Sequence, residues 1–113
     1  MLREDRIRLQ HMLDAANEAL SFVKTSSRDT FAADRMRMLS VIKDLEIIGE
    51  AAGKVTEDAR VKNSTIQWTD IIGMRNRLIH GYFDVDIDVV WRTVMDDLPP
   101  LVGALMAVLN SPA

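Results

Sequence analysis

With 113 residues, 17 acidic against 14 basic side chains and a formal charge of −3 at pH 7, the chain has room for one domain around one core. Its mildly acidic balance excludes a nonspecific nucleic-acid coat protein, and 48% hydrophobic with 27% charged residues excludes wholesale disorder. Cysteine is absent, which removes disulfides, thiolate zinc sites, iron–sulfur clusters and a cysteine nucleophile.

No apolar run approaches the ~18 residues of a membrane span, and Met1 leads straight into the charged stretch Leu2-Arg3-Glu4-Asp5-Arg6. The expectation is a cytoplasmic chain folded as a single domain over residues 1–113. Along it, Leu9, Met12, Leu13, Ala16, Ala19, Leu20 and Val23 recur at intervals of three and four, which predicts an amphipathic helix from about Arg3 to Lys24. Thr25 to Thr30 ends it with side chains that compete for backbone hydrogen bonds. Met38, Val41, Ile42, Leu45, Ile48, Ala52 and Val55 predict a second helix, opening at Phe31 or Asp34 and closing at Val55. Gly49 and Gly53, four apart within it, suggest close approach of another helix.

Thr56 to Ser64 reads as a polar loop with room for a helical turn. A third helix opens at Thr65 or Gln67 and ends near His80, with Gly81 placed as its left-handed C-terminal residue. Asp84, Asp86 and Asp88 offer N-caps for a final helix. Its stripe runs from Ile87 through Val94 and Leu98 to Leu109 and keeps its period across Pro99-Pro100, so one kinked helix or two nearly collinear ones are expected. The fold class is all-α, an antiparallel bundle of four to five helices.

Chemistry concentrates in Met74-Arg75-Asn76-Arg77-Leu78-Ile79-His80-Gly81-Tyr82, which holds two arginines, an Asn, a His and the single Tyr of the chain. On an ideal helix Arg75 and His80 diverge by roughly 140°. They converge on a small group only if the helix end unwinds or a two-fold axis brings in a second copy. The residue types suit cleavage of RNA by its own 2′-OH. An imidazole with an ordinary pKa of ~6.5 serves as base or acid, and a guanidinium fork takes the phosphate oxygens. Asn76 can orient the His or donate to phosphate. Such chemistry requires no metal and no cofactor.

Arg75, four intervening residues and His80 resemble the Arg-x4-His motif of HEPN-superfamily ribonucleases, and His80-Gly81-Tyr82 extends it to the Arg-x4-His-x-Tyr form of the HepT-like toxins. Glu46-Ile47-Ile48-Gly49-Glu50-Ala51-Ala52 and Trp68-x-x-Ile71-x-Gly73-Met74-Arg75-Asn76-Arg77 resemble the helices that precede the motif in that family. The resemblance implies a HEPN-like fold and a homodimeric, metal-independent endoribonuclease toxin. Arg75, Asn76 and His80 would be catalytic at the cleft between subunits, with RNA of the tRNA class as substrate and no DNA. It also implies an antitoxin partner, a nucleotidyltransferase of the MntA type, that silences the toxin by moving AMP from ATP onto Tyr82. The competing class is a noncatalytic module that binds RNA, a nucleotide or the nucleotidyltransferase without turnover.

Neighbouring residues read more plainly. Arg77 is a solvated or interface charge, and His11 lies beside a helix stripe. Glu46 and Glu50 suit a hydrogen-bond or ion-pair role rather than a metal site. Asp84, Asp86 and Asp88 imitate the start of a calcium loop, but Val89 stands where Gly is required and Met95 where the bidentate Glu belongs. Tyr82, if unmodified, can staple its loop against the bundle.

Overall fold

The computed structural model describes residues 1–79 and 84–111. Helix α1 spans Arg3–Val23 and buries Leu9, Met12, Ala16, Ala19 and Val23, the stripe its spacing predicts. A capping box between Ser27 and Thr30 starts a short α2, Arg28–Ala33, which drives Phe31 into the core. Asp34 then turns the chain, and its carboxylate accepts the Arg37 N–H at 3.1 Å to cap α3, Arg35–Lys54. The second helix is therefore two pieces, with the break at the alternative start, Asp34.

The stretch read as a loop contains α4, Glu57–Lys62. Thr56 caps it, Glu57 and Asp58 complement its positive end, and Ala59 is buried beneath it. The third expected helix is divided at Gly73 into α5, Trp68–Ile72, and α6, Met74–Leu78. It stops short of His80, because Ile79 is already extended (φ −127°, ψ 115°) and pairs antiparallel with Val85. Gly81 lies outside the described residues.

The last arm runs through α7, Ile87–Arg92, a π-helical turn at Thr93–Asp97, and α8, Leu98–Asn110. Asp86 caps α7 by accepting the Val89 N–H at 3.2 Å. Pro99 and Pro100 have no N–H for the carbonyls four residues back, and the Leu98 N–H reaches five back to Thr93. That wider turn lets the arm continue through both prolines, as the unbroken stripe predicts.

Cross-links along the two longest helices fix their sense. Asp5 meets Thr56, Glu18 meets Asp44 and Arg37 meets Ser26, so α1 and α3 run antiparallel over nearly their full length. Arg6 donates to the Leu109 carbonyl at 2.6 Å, bringing the start of α1 to the end of α8. Leu9, Met12, Leu45, Ile48, Leu98 and Leu105 fill the space between, and α5 and α6 close the far flank of α3. The result is the all-α antiparallel bundle. Among the described residues no helix is long and apolar enough to cross a membrane.

Candidate active site

Helix α6 is held by Met74 and Leu78, four apart and both buried, which turns Arg75 and Asn76 outward. The Arg75 side chain is 62% exposed, with its Nε 3.8 Å from Oε2 of Glu46 on α3, whose side chain is 26% exposed. One turn further along α3, a Cβ at Gly49 would meet the Ile71 carbonyl oxygen at 3.2 Å. The missing side chain thus lets α5 and α6 settle against α3, within ion-pair reach of Glu46. Gly49 fulfils the close approach expected of it. Gly53 does not, since a Cβ there would meet nothing within 4 Å.

Arg77 is tied down. It donates to the Asp70 carbonyl at 3.0 Å and stands 3.7 Å from the Asp70 carboxylate, which spans the break between α5 and α6. Of the two motif arginines, Arg75 is the one with its head group turned to solvent, and among the described residues Glu46 is the one carboxylate it meets. Asn76 is exposed, and its N–H closes the turn by donating to the Gly73 carbonyl at 3.2 Å. Glu46 takes the ion-pair role that its place on the helix suggests.

Beyond α6, the Asp86 N–H donates to the Leu78 carbonyl at 2.8 Å, beside the Ile79–Val85 bridge. The two ends of the segment between them are thereby fastened together next to Arg75. His80 and Tyr82, the other two residues of the motif, lie outside the described residues. Among the described residues no three His, Asp or Glu side chains converge as a metal site. His11 is exposed on α1, on a different element from the motif.

The HepT-like family model, described as "Ribonuclease HepT-like", matches residues 12–108. The chain belongs to the HepT-like ribonuclease family. It is 35% identical over 99 residues to "Putative RNase MJ1380" of Methanocaldococcus jannaschii, covering 88% of this chain and 91% of that protein. It is 35% identical over 103 residues to "Probable ribonuclease HepT" of Thermococcus cleftensis, covering 91% and 94%. With "Putative RNase TTE0752" of Caldanaerobacter subterraneus subsp. tengcongensis the identity is 32% over 109 residues, covering 96% and 97%. No solved structure gives a significant match.

Two polar contacts of this HepT-like chain escape sequence reasoning. Asp5, 2% exposed, accepts the Thr56 backbone N–H at 2.9 Å and its hydroxyl at 2.6 Å, fastening α1 to the α3–α4 junction. In the sequence it reads only as a first-turn acid. Asp44, also 2% exposed, lies against Glu18 and reads only as a gap in the apolar stripe.

Proposed function

We propose that this HepT-like chain is the toxin of a toxin–antitoxin pair, an endoribonuclease that cleaves RNA of the tRNA class without a metal ion. The observation that carries the reading is Arg75, an outward-facing guanidinium braced by Glu46 beside the fastened ends of the segment that bears His80. Its planar donors suit the non-bridging oxygens of a phosphodiester and the extra charge of the pentavalent transition state. Asn76, next in sequence and exposed, supplies a neutral donor to the same phosphate or to the imidazole.

In the proposed step the 2′-OH loses its proton to a base and attacks the adjacent phosphorus. The P–O bond to the 5′ oxygen breaks, and that oxygen takes a proton from an acid. The products are a 2′,3′-cyclic phosphate and a 5′-OH. His80 can fill either role near neutral pH, and a homodimer with both motifs at one cleft supplies two imidazoles, one for each proton. Two copies of Arg75 at one cleft also concentrate positive charge locally, although the dimer as a whole is more acidic than the single chain.

Control follows from Tyr82, two residues beyond His80. A nucleotidyltransferase of the MntA type would transfer AMP from ATP to the phenolic oxygen, releasing pyrophosphate. The added phosphodiester places bulk and negative charge where the substrate phosphate must enter.

The test is cleavage of tRNA by the purified protein beside a His80→Ala variant, with the ends of the fragments identified. Cyclic phosphate ends from the parent and none from the folded variant support the reading; equal cleavage by both refutes it. The net charge of −3 favours one alternative, a binding module without turnover. In that case RNA is cut by neither protein, whether the module binds RNA, a nucleotide or the nucleotidyltransferase.

A further inference from the structure

Helix α8, Leu98–Asn110, carries no charged side chain, and Asn110 is the one polar residue in it. Leu98, Leu101 and Leu105 bury its inner side. The outer side should then be polar, as on a helix that faces only water. Instead Pro99, Gly103, Met106 and Asn110 stand exposed there, with Met106 at 47%. Their spacing of four, three and four is that of a seam between two helices.

Gly103 lies at the centre of this outer face, directly opposite the buried leucines. A glycine in mid-helix weakens the helix, and nothing inside the chain requires its small size, because a Cβ there would meet nothing within 4 Å. Gly53 is equally open, but it sits between Glu50 and Lys54 at the charged end of α3. Gly103 is instead the lowest point of an uncharged surface, where the backbone of another helix can come close.

The two ends of the face differ in charge. Asp96 and Asp97 are exposed just before α8. Beside its last turn opens a cavity of about 810 Å³ rimmed by Leu2, Ala107 and Val108, where Arg6 and Lys62 outnumber the one exposed acid of the lining, Asp58. Asp96 and Asn110 are each seven places from Gly103. Two copies laid antiparallel across that residue therefore set the acidic end of each over the basic end of the other. The helix dipoles oppose in the same arrangement.

We propose that the outer face of α8 docks a second copy of this chain, antiparallel and two-fold about Gly103. A two-fold contact needs a patch that complements itself, and this one does so in shape at Gly103 and in charge at its ends. Residues of α6 take no part, so the contact is separate from the cleft at Arg75 and stands independently of the ribonuclease reading. A chain that also pairs at that cleft would assemble in fours or more.

Sedimentation equilibrium of the full chain beside Met106→Glu and Gly103→Glu variants tests the contact, with melting curves to confirm that both fold. The absence of cysteine allows a second readout: Gly103→Cys places a lone thiol at the crossing, and Lys24→Cys places one at an exposed site at the end of α1 for comparison. Support requires that the mass of the parent assembly fall by half in both folded glutamate variants. It also requires that mild oxidation link Gly103→Cys into a covalent dimer at least tenfold faster than Lys24→Cys. A monomeric parent, an assembly mass that the two variants leave unchanged, or equal rates of cross-linking overturns the proposal and leaves the face to a different protein.

Discussion

Nε of Arg75 stands 3.8 Å from Oε2 of Glu46, and that contact joins the motif helix α6 to the long helix α3. The pair is half open to water, so its worth to stability is small, below about 1 kcal/mol. Its worth to function lies in where it holds the guanidinium. Glu46→Gln is expected to leave the unfolding midpoint nearly unchanged while lowering RNA cleavage by about threefold to tenfold, equivalent to about 0.7–1.4 kcal/mol of transition-state stabilisation. Steady-state cleavage beside a denaturant melt checks this; unchanged cleavage would mean that Arg75 needs no brace.

Gly49 and Gly53 occupy one helix and make opposite predictions. A Cβ at residue 49 would press on the Ile71 carbonyl at 3.2 Å, between two backbones that have little room to give. Gly49→Ala should therefore destabilise by about 1–3 kcal/mol despite its better helix propensity. At residue 53 the new methyl meets open space, and Gly53→Ala should stabilise by about 0.5–1 kcal/mol. Urea melts of the two variants provide the comparison. Equal effects would show that α5 does not press on α3 at this point.

Asp5 ties the start of α1 to Thr56 through two hydrogen bonds, inside a buried setting. Asp5→Ala removes both acceptors and leaves the Thr56 N–H without its partner. A loss of about 2–3 kcal/mol is expected, against about 1 kcal/mol for Thr56→Val, which keeps the backbone bond. Chemical denaturation of both variants measures the difference.

Acid titration offers a third check on the core. The Asp44 carboxyl is raised from 3.8 in the unfolded chain to about 7 in the fold, chiefly by burial and then by Glu18. A raised folded value means that the fold prefers the protonated group. Its contribution is fully present below about pH 4 and is lost as pH rises through about 7. Asp44→Asn should accordingly gain on the parent as pH rises, melting at least about 5 °C higher at pH 8 and showing little advantage at pH 4. Parallel melts at the two pH values test the sign. A variant that is less stable at pH 8 would contradict it.

The long elements were legible because their apolar residues repeat at helical spacing over many turns. Leu9 to Val23 in α1 and Met38 to Ala52 in α3 all face the core where the stripe puts them. The passage of the last arm through Pro99-Pro100 was legible for the same reason, although nothing in the pattern announces the π-helical turn that makes it possible. The breaks were harder. Asp34 looks like any acid on a helix surface until its carboxylate caps the Arg37 N–H. Ile79 belongs by spacing to the α6 stripe, yet it is drawn into an extended bridge with Val85, a pairing that local pattern cannot see.

At the candidate site, the residue types and the family were readable from Arg75 through Tyr82. The brace on Arg75 and the tethering of Arg77 to Asp70 needed three dimensions, because each joins residues at least a full turn or a separate helix apart. Asp5 and Asp44 were illegible as buried acids for the same reason.

The most direct measurement of the central claim is incubation of the purified chain, with intact mass confirming unmodified Tyr82, with tRNA in excess EDTA beside Arg75→Ala and His80→Ala variants. The account predicts that the parent cleaves in the presence of chelator and that both folded variants lose cleavage by at least about a hundredfold. Cleavage that chelator abolishes, or that persists equally in the two variants, would contradict it.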